Sequence, residues 1–366
     1  MPDYAVSETG AALEAEKICA LWSRNLGFDS AAHAAAKLEH GYVSNPAGAG
    51  ALFAVRHEAA EPASPPTSAP ASAPAPAAGF IGLHPRRFVL GERELAAATL
   101  ADFAVDREHR SLGPALMLMR AALRTGQQRY AFVYGMPNPD SRALLRRAGM
   151  TPLGAMRRYT LVISSRPKLE HRLPRAGVRV LAPLLAPVLD LALRARAAWL
   201  DLRARPALRC RAVSFDDAGI DRVWAQRPGA LLLSDRSSSM LRWRYARTST
   251  SSWRIALAQD ASGRDAGHVA WQLDAGLARI GDFFSTDPPH ETAALLLAFA
   301  RHAREAGAHT VTASFLGDPI VTQALSSAGF FLSDPEGEPV FVAREPMMGE
   351  VPLTRWYLTS FDNDDD

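Results

Sequence analysis

Apolar residues recur along this chain in two alternating rhythms. Strand-like runs cover residues 51–57, 79–90 and 94–105. Leu112, Leu116, Met119 and Leu123 then recur at the spacing of one helix face, which predicts a helix over 112–125. Helical patterns also cover 11–26 and 30–42. Tyr130 to Tyr134 predicts a short strand, Ser141 to Arg147 a helix stopped by Gly149, and Thr160 to Ile163 a strand that closes the sheet.

The same order returns in the second half. Strands are expected at 253–259, 268–273 and 277–284, then a helix over Glu291 to Ala306, a strand over Thr310 to Phe315, and a helix over Ile320 to Ala328 stopped by Gly329. The stretches PNPDSRALLRRAGM (137–150) and GDPIVTQALSSAGF (317–330) end alike, and Gly149 and Gly329 stand 180 positions apart. Identity is weak but the order is consistent, so the chain reads as a tandem duplication. The stretch EPASPPTSAPASAPAPAA (61–78) is too poor in bulky apolar side chains to pack. It is expected to be a disordered loop, about 58–78, inside the first domain, because a linker there would leave strand 51–57 without a sheet. The expected organisation is a domain over 1–164, a Pro- and Arg-rich connector over 165–210 with an amphipathic helix near Leu181 to Leu202, and a domain over 211–366.

Composition narrows the partners. Among 366 residues, 41 Lys+Arg face 38 Asp+Glu, a formal charge of +3 that argues against a nucleic-acid binder. No run approaches the ~20 apolar residues of a membrane span, and Met1 to Gly10 is too polar and acidic for a signal peptide. Cys19 and Cys210 form neither a metal-ligand spacing nor a disulfide framework. The histidines are scattered, so no metal is expected. A cytoplasmic protein fits.

The chemistry concentrates in ADFAVDREHRSLGPALMLMRAAL, Ala101 to Leu123. A strand ends at Val105 and a helix opens near Leu112. The turn between them holds Arg110, Gly113 and Ala115. Free N–H groups at a helix start and the helix dipole make an anion site, the small residue lets a ligand approach the backbone, and Arg110 adds a cation. A diphosphate suits that geometry. Pro114 loses no helical bond in the first turn, though it removes one phosphate donor.

This segment resembles the acetyl-CoA motif of the GNAT N-acetyltransferase superfamily, V-x-x-x-x-R-x-x-G-x-[GA], through Val105, Arg110, Gly113 and Ala115. A second motif follows in outline, from Asn138 through a helix to Gly149-Met150. The resemblance covers roughly residues 5–164. It implies an α/β (α+β) fold of two tandem GNAT-like domains, each a mixed, mostly antiparallel sheet flanked by helices. It also implies acetyl-CoA as co-substrate, held by Phe103, Ala104, Val105, Arg110, Ser111, Leu112, Gly113, Pro114, Ala115, Asn138 and Ser141. The pantetheine would pair with strand backbone exposed where two strands splay, and an N–H near Val105 would polarise the thioester.

The sequence departs from the family at one position. Many members place a Tyr four residues before the helix-ending Gly as general acid, and here that residue is Leu145. Tyr134, Tyr159 or a water are the substitutes. For the proton acceptor, Asp102 ranks ahead of Asp106, Glu108 and His109. In the second half the equivalent turn, STDPPHE, carries Asp287 and Glu291 and neither Arg nor Gly. Those acids satisfy the helix dipole themselves and repel a diphosphate, so a GNAT-like domain without a CoA site is expected there.

The expected activity is N-acetyl transfer in the N-terminal domain to the amine of a small molecule or amino sugar. A homodimer is compatible with the sequence. The alternatives are a CoA-binding regulatory pseudo-acetyltransferase and a Fem-type aminoacyl transferase. In LRWRY (241–245), Trp243 and Tyr245 can stack on a sugar ring and Arg242 or Arg244 bind a phosphate, or the helix simply packs on the second sheet. Trp253, Trp271 and Trp356 are expected in the core, and the acidic end SFDNDDD as a solvated tail.

Overall fold

A computed structural model describes residues 3–28, 30–58, 76–165, 175–204, 206–246, 252–344 and 351–364. Most of the expected low-complexity loop, and part of the connector, lie outside the described residues.

The N-terminal half follows from its apolar runs. β1 (Asp3–Thr9), β2 (Ala51–Glu58), β3 (Ala77–Leu90) and β4 (Arg93–Val105) pair antiparallel in sequence order. β5 (Phe132–Gly135) adds parallel to β4. α1 (Ala15–Asn25) and α2 (Ala31–Leu38), the second capped by the Ser30 side chain, cover one face through Ile18, Leu21, Trp22, Ala34 and Leu38. α3 (Leu112–Arg129) covers the other with Leu118, Met119, Ala122 and Leu123, and α4 (Arg142–Ala148) follows β5. The polar strand β1 carries no apolar alternation strong enough to announce itself. α1 starts four residues later than its pattern, after a turn closed by Leu13 N–H to the Gly10 carbonyl.

The connector helix α5 is longer than expected, Arg175–Arg203. The C-terminal half then begins with β7 (Arg209–Val213), α6 (Ala218–Ala225), β8 (Leu232–Ser234) and α7 (Ser238–Tyr245). A meander of β9 (Trp253–Gln259), β10 (Asp265–Asp274) and β11 (Leu277–Ser285) follows. α8 (Pro288–Glu305), β12 (Thr310–Gly317) and α9 (Pro319–Ser327) repeat the order of α3, β5 and α4. Expected and observed elements agree here within a few residues.

The halves are interlocked, which no periodicity announced. β6 (Thr151–Val162) does not close the sheet of its own half. It pairs with β12 of the other half, while β13 (Phe331–Arg344) inserts between β5 and β6. The strand order is β5-β13-β6-β12, so each half lends its last long strand to the other. β6 is eight residues longer than the predicted four-residue run and extends along both β12 and β13.

A second connection closes a ring. β14 (Trp356–Thr359) pairs with the end of β12 and with β8, and β8 pairs with the end of β3. β3, β4, β5, β13, β6, β12, β14 and β8 therefore form one continuous hydrogen-bonded circuit. Its interior receives Phe88, Leu95, Phe132, Tyr134, Val340, Val342, Met156, Leu316, Trp356 and Leu232, at least one side chain from every strand. β14 approaches β12 so closely that a Cβ at Gly317 (φ +146°) would lie 1.8 Å from the Trp356 carbonyl oxygen.

The acidic C-terminus is therefore a structural element, which corrects the expectation of a solvated tail. Asp362 is fully buried, as are Arg236, Asp282 and His268. The Arg236 Nε donates to both Asp282 oxygens (3.1 and 3.2 Å), and its second amino group pairs with Asp362 Oδ2 at 3.1 Å. His268 Nε2 lies 3.1 Å from Asp282, and the Thr359 hydroxyl donates to Asp282 at 2.7 Å. Burial alone would push both carboxyls up. Arg236, with His268 and Thr359, outweighs it at Asp282 and holds that group low, whereas Asp362, which also faces the Asp282 charge, stays above the usual range. Of the three expected core tryptophans, Trp271 and Trp356 are buried and Trp253 is only partly so.

Removing Asp362 from this buried cluster leaves the Ser234 hydroxyl, the Thr359 amide and one edge of Arg236 without their acceptor. Asp362→Ala should lower unfolding free energy by about 3–5 kcal/mol in urea titrations. Asp216→Ala, which breaks the exposed pair with Arg242 (2.6 Å), should change it little. Equal effects from the two substitutions would contradict this account of the tail.

Candidate functional site

β4 and β5 pair only from Ala97–Phe132 to Thr99–Tyr134 and then diverge. The divergence is driven by a bulge. Phe80 faces Ala104 and Gly82 faces Ala101, so Asp102 and Phe103 together oppose Ile81. Asp102 takes φ +53°, a left-handed conformation that Asp tolerates better than most side chains. A cleft of about 390 Å³ opens at the splay, floored by Leu100 to Phe103 and walled by Phe28, His33 and Lys37 on one side and Met136, Asn138, Ser141 and Leu145 on the other.

Asp102 is almost fully enclosed. The Tyr42 hydroxyl donates to Oδ2 at 2.8 Å, His84 Nε2 lies 3.2 Å from the same oxygen, and Lys37 Nζ lies 3.4 Å from Oδ1. Burial pushes this carboxyl up, but Lys37, His84 and Tyr42 together outweigh it and hold it far below the usual carboxylate range. The same enclosure pushes the Tyr42 hydroxyl up and, through burial, the His84 imidazole down. Lys37 also donates to the Asp364 carbonyl at 3.3 Å, so the C-terminal segment reaches the cleft. Tyr42, His84, Lys37 and Asp364 were not among the expected site residues. No local pattern around Lys37, Tyr42 or His84 marks them as neighbours of Asp102.

The turn leading to α3 is braced from α1. Arg110 Nε donates to the Val105 carbonyl at 3.1 Å, and its amino group donates to Asn25 Oδ1 at 2.9 Å. Arg24 pairs with Asp106 at 2.8 Å. Ser111, the N-cap of α3, makes no side-chain capping bond, and the first turn holds no acid. The N–H groups at this end are left for another acceptor. A Cβ built on Gly113 meets nothing within 4 Å. Asn138 Oδ1 accepts from the Ser141 amide at 3.0 Å, which orders the entry to α4.

The other expected residues lie elsewhere. Tyr134 points into the strand ring, and its hydroxyl donates to the Asp362 carbonyl at 2.9 Å. Tyr159, on β6, packs in the core of the C-terminal half. Neither lines the cleft, because strand alternation turns one into the ring and the exchange carries the other across. Asp106, Glu108 and His109 sit on the turn beyond the splay, where Asp106 caps its own turn and His109 meets the Tyr4 hydroxyl at 2.9 Å. Leu145 is buried against the cleft wall.

The corresponding end of α8 is closed. Glu291 accepts from the Asp287 amide (3.1 Å) and the Thr286 hydroxyl (2.6 Å), and pairs with Arg264 at 2.5 Å. β11 and β12 also splay, after Ile280–Ala313, but β14 takes the opening, with the Tyr357 hydroxyl donating to the Phe283 carbonyl.

Residues 52–150 match the model of the Acetyltransferase (GNAT) family. No curated protein matches the chain. Its fold is similar to a probable N-acyltransferase of unknown function from Enterococcus faecalis (13% identity, TM-score 0.63, covering 94% of this chain and 74% of that one). It is also similar to GCN5-related N-acetyltransferases from Anabaena variabilis (12%, TM-score 0.59, 94% and 73%) and Kribbella flavida (15%, TM-score 0.55, 94% and 71%). At these identities the likeness speaks to fold. Among the described residues, no helix is long and apolar enough to cross a membrane.

The depressed Asp102 carboxyl has a thermodynamic consequence. Its folded pKa lies below its unfolded value, so it stabilises the fold above the unfolded pKa and that contribution fades as pH falls. The stability gap between wild type and Asp102→Asn should be widest above about pH 5 and shrink toward pH 3. Urea midpoints across that range check it. A gap independent of pH would contradict the ion pairing with Lys37.

Proposed function

We infer that this chain, which carries an acetyltransferase (GNAT) family domain at residues 52–150 within a fold of two GNAT-like halves, is an N-acetyltransferase that uses acetyl-CoA in its N-terminal half. The carrying observation is the uncapped start of α3 behind the β4–β5 splay, set against the Glu291-capped start of α8. An oxygen-rich diphosphate supplies acceptors to the first and a charge complement to its dipole. At the second, Pro288 and Pro289 offer no N–H, and the Glu291 carboxylate already complements the dipole.

In this reading Ser111 to Ala115 hold the pyrophosphate, with Pro114 contributing shape rather than a donor. Arg110 braces the loop through Val105 and Asn25 and adds its charge. Phe103 to Val105 present the strand edge along which the pantetheine lies, and an amide there stabilises the developing oxyanion. Asn138 and Ser141 border the same cleft. The acceptor is a small-molecule amine or amino sugar, a size that the 390 Å³ cleft accommodates. Its nitrogen forms the new C–N bond, the C–S bond breaks, the amine proton leaves to solvent, and the CoA thiolate takes a proton.

Asp102 is a weak proton acceptor when its carboxyl is held so low. Its role in this scheme is to fix Lys37 and the bulge that aims the β4 backbone. Among the described residues lining the cleft there is no tyrosine, so in this scheme water returns the proton to the thiolate. That same observation, with Leu145 in the wall, favours a second reading, a CoA-binding protein without turnover.

Gly113→Glu tests the assignment. The new side chain enters open space, so the thermal midpoint should hold. Acetyl-CoA-dependent thiol release with an amine panel should show KM for acetyl-CoA raised about tenfold or more, because a carboxylate now faces the diphosphate. An unchanged KM would remove the pyrophosphate from this loop. Acetyl-CoA binding without thiol release on any amine would select the second reading.

A further inference from the structure

A second cavity, of about 470 Å³, lies in the C-terminal half and belongs to no part of the acyl-transfer scheme. It opens where β11 and β12 begin to splay, on the face covered by α7. α7 here takes the place that α2 takes at the N-terminal cleft. The residues contributed are different in kind. Arg158 from β6, Arg244 from α7 and Arg279 from β11 border the cavity, and among the described residues Glu338 is the one carboxylate in its lining.

Two of these cations have little to do within the protein. Arg279 is exposed and makes no hydrogen bond or ion pair with the described residues. Arg158 reaches Glu338 only at 3.9 Å, with both side chains about half exposed. Arg244, by contrast, is buried in the wall. Concentrating three guanidinium groups around one cavity costs mutual repulsion unless an anion offsets it.

Part of the lining is aromatic and closely fitted. Tyr245 and Trp253 pack with ring centroids 4.4 Å apart. They seat against β11 only because residue 281 is glycine. A Cβ there would lie 2.5 Å from the Tyr245 hydroxyl and 2.6 Å from the Trp253 ring. Trp253 remains partly exposed to the cavity.

We propose that this cavity is a binding site for a small organic anion, a carboxylate or phosphate ester carrying a flat apolar group. The anionic end lies between Arg158, Arg244 and Arg279, and the flat group rests on Trp253, which the buried Tyr245 backs. It is not a second acyl-CoA site, since the α8 start that would hold the pyrophosphate is closed by Glu291. The site stands beside the donor cleft. Met136 borders both cavities, and the adjacent residues Asn363 and Asp364 border one each.

The test is titration of the full chain, without acetyl-CoA, with phenyl phosphate and with benzoate, read by calorimetry and by tryptophan fluorescence. Saturable binding of either probe at one site per chain is expected, and the tighter of the two identifies the anionic group. Arg279→Gln and Arg158→Gln, both at exposed side chains, should each weaken binding roughly tenfold. Trp253→Phe should abolish the fluorescence change. Gly113→Glu should leave probe binding intact, so this site can fail or hold independently of the acyltransferase reading. Absence of saturable binding by both probes, or an unchanged Kd in both arginine variants, would overturn the proposal.

Discussion

Everything else in this molecule depends on one backbone arrangement, the insertion of β13 between β5 and β6. A strand must pair both of its edges or shield them. Here each half leaves a gap that only the other half's strand fills, so neither sheet is complete alone. The ring of eight strands follows, and with it an apolar interior shared by both halves. The ring also fixes the path of the C-terminal segment, which fills the β11–β12 opening as β14, passes Tyr134, and reaches Lys37 beside the N-terminal cleft. Arg236, buried between Asp282 and Asp362, locks that path from inside.

Against this pseudo-symmetric frame the two halves have diverged by electrostatics more than by shape. Both have a bulged or irregular central strand, a splay, and a helix whose start points at it. At α3 no carboxylate competes for the first-turn amides. At α8, Pro288 and Pro289 present no N–H, and the Glu291 carboxylate, bonded to the N-cap Asp287 amide and paired with Arg264, stands at the dipole's positive end. In the proposed reading, two prolines and one carboxylate separate a helix start open to a diphosphate from one closed to it. β14 reinforces the outcome by occupying the opening through which an acyl arm would enter.

Much of the fold was legible because local patterns agree with it. Leu112 to Leu123 at helical spacing, and Gly149 (φ +103°) and Gly329 (φ +91°) as helix stops, carry their meaning within a few residues. The loop of Arg110, Gly113 and Ala115 was legible for the same reason. The exchange was not, because hydrophobic alternation says that β6 and β13 are strands and not which neighbours they choose. That ambiguity misplaced Tyr159, which reads as a neighbour of the cleft by sequence and lies in the other half's core. The tail was misread for a different reason: Asp362 is acidic, and charge suggests solvent until Arg236 and Asp282, 126 and 80 residues away, are known to surround it. The cluster of Lys37, Tyr42 and His84 around Asp102 likewise joins three elements that no local rule connects.

The claim that one half binds the acyl donor and the other does not is tested most directly by amide hydrogen exchange with and without acetyl-CoA. The account predicts ligand-dependent protection at Phe103 to Val105 and at the amides of Ser111 to Ala115 other than Pro114, with Ser285 to Thr292 unchanged. Protection at the start of α8, or at neither helix start, would contradict it.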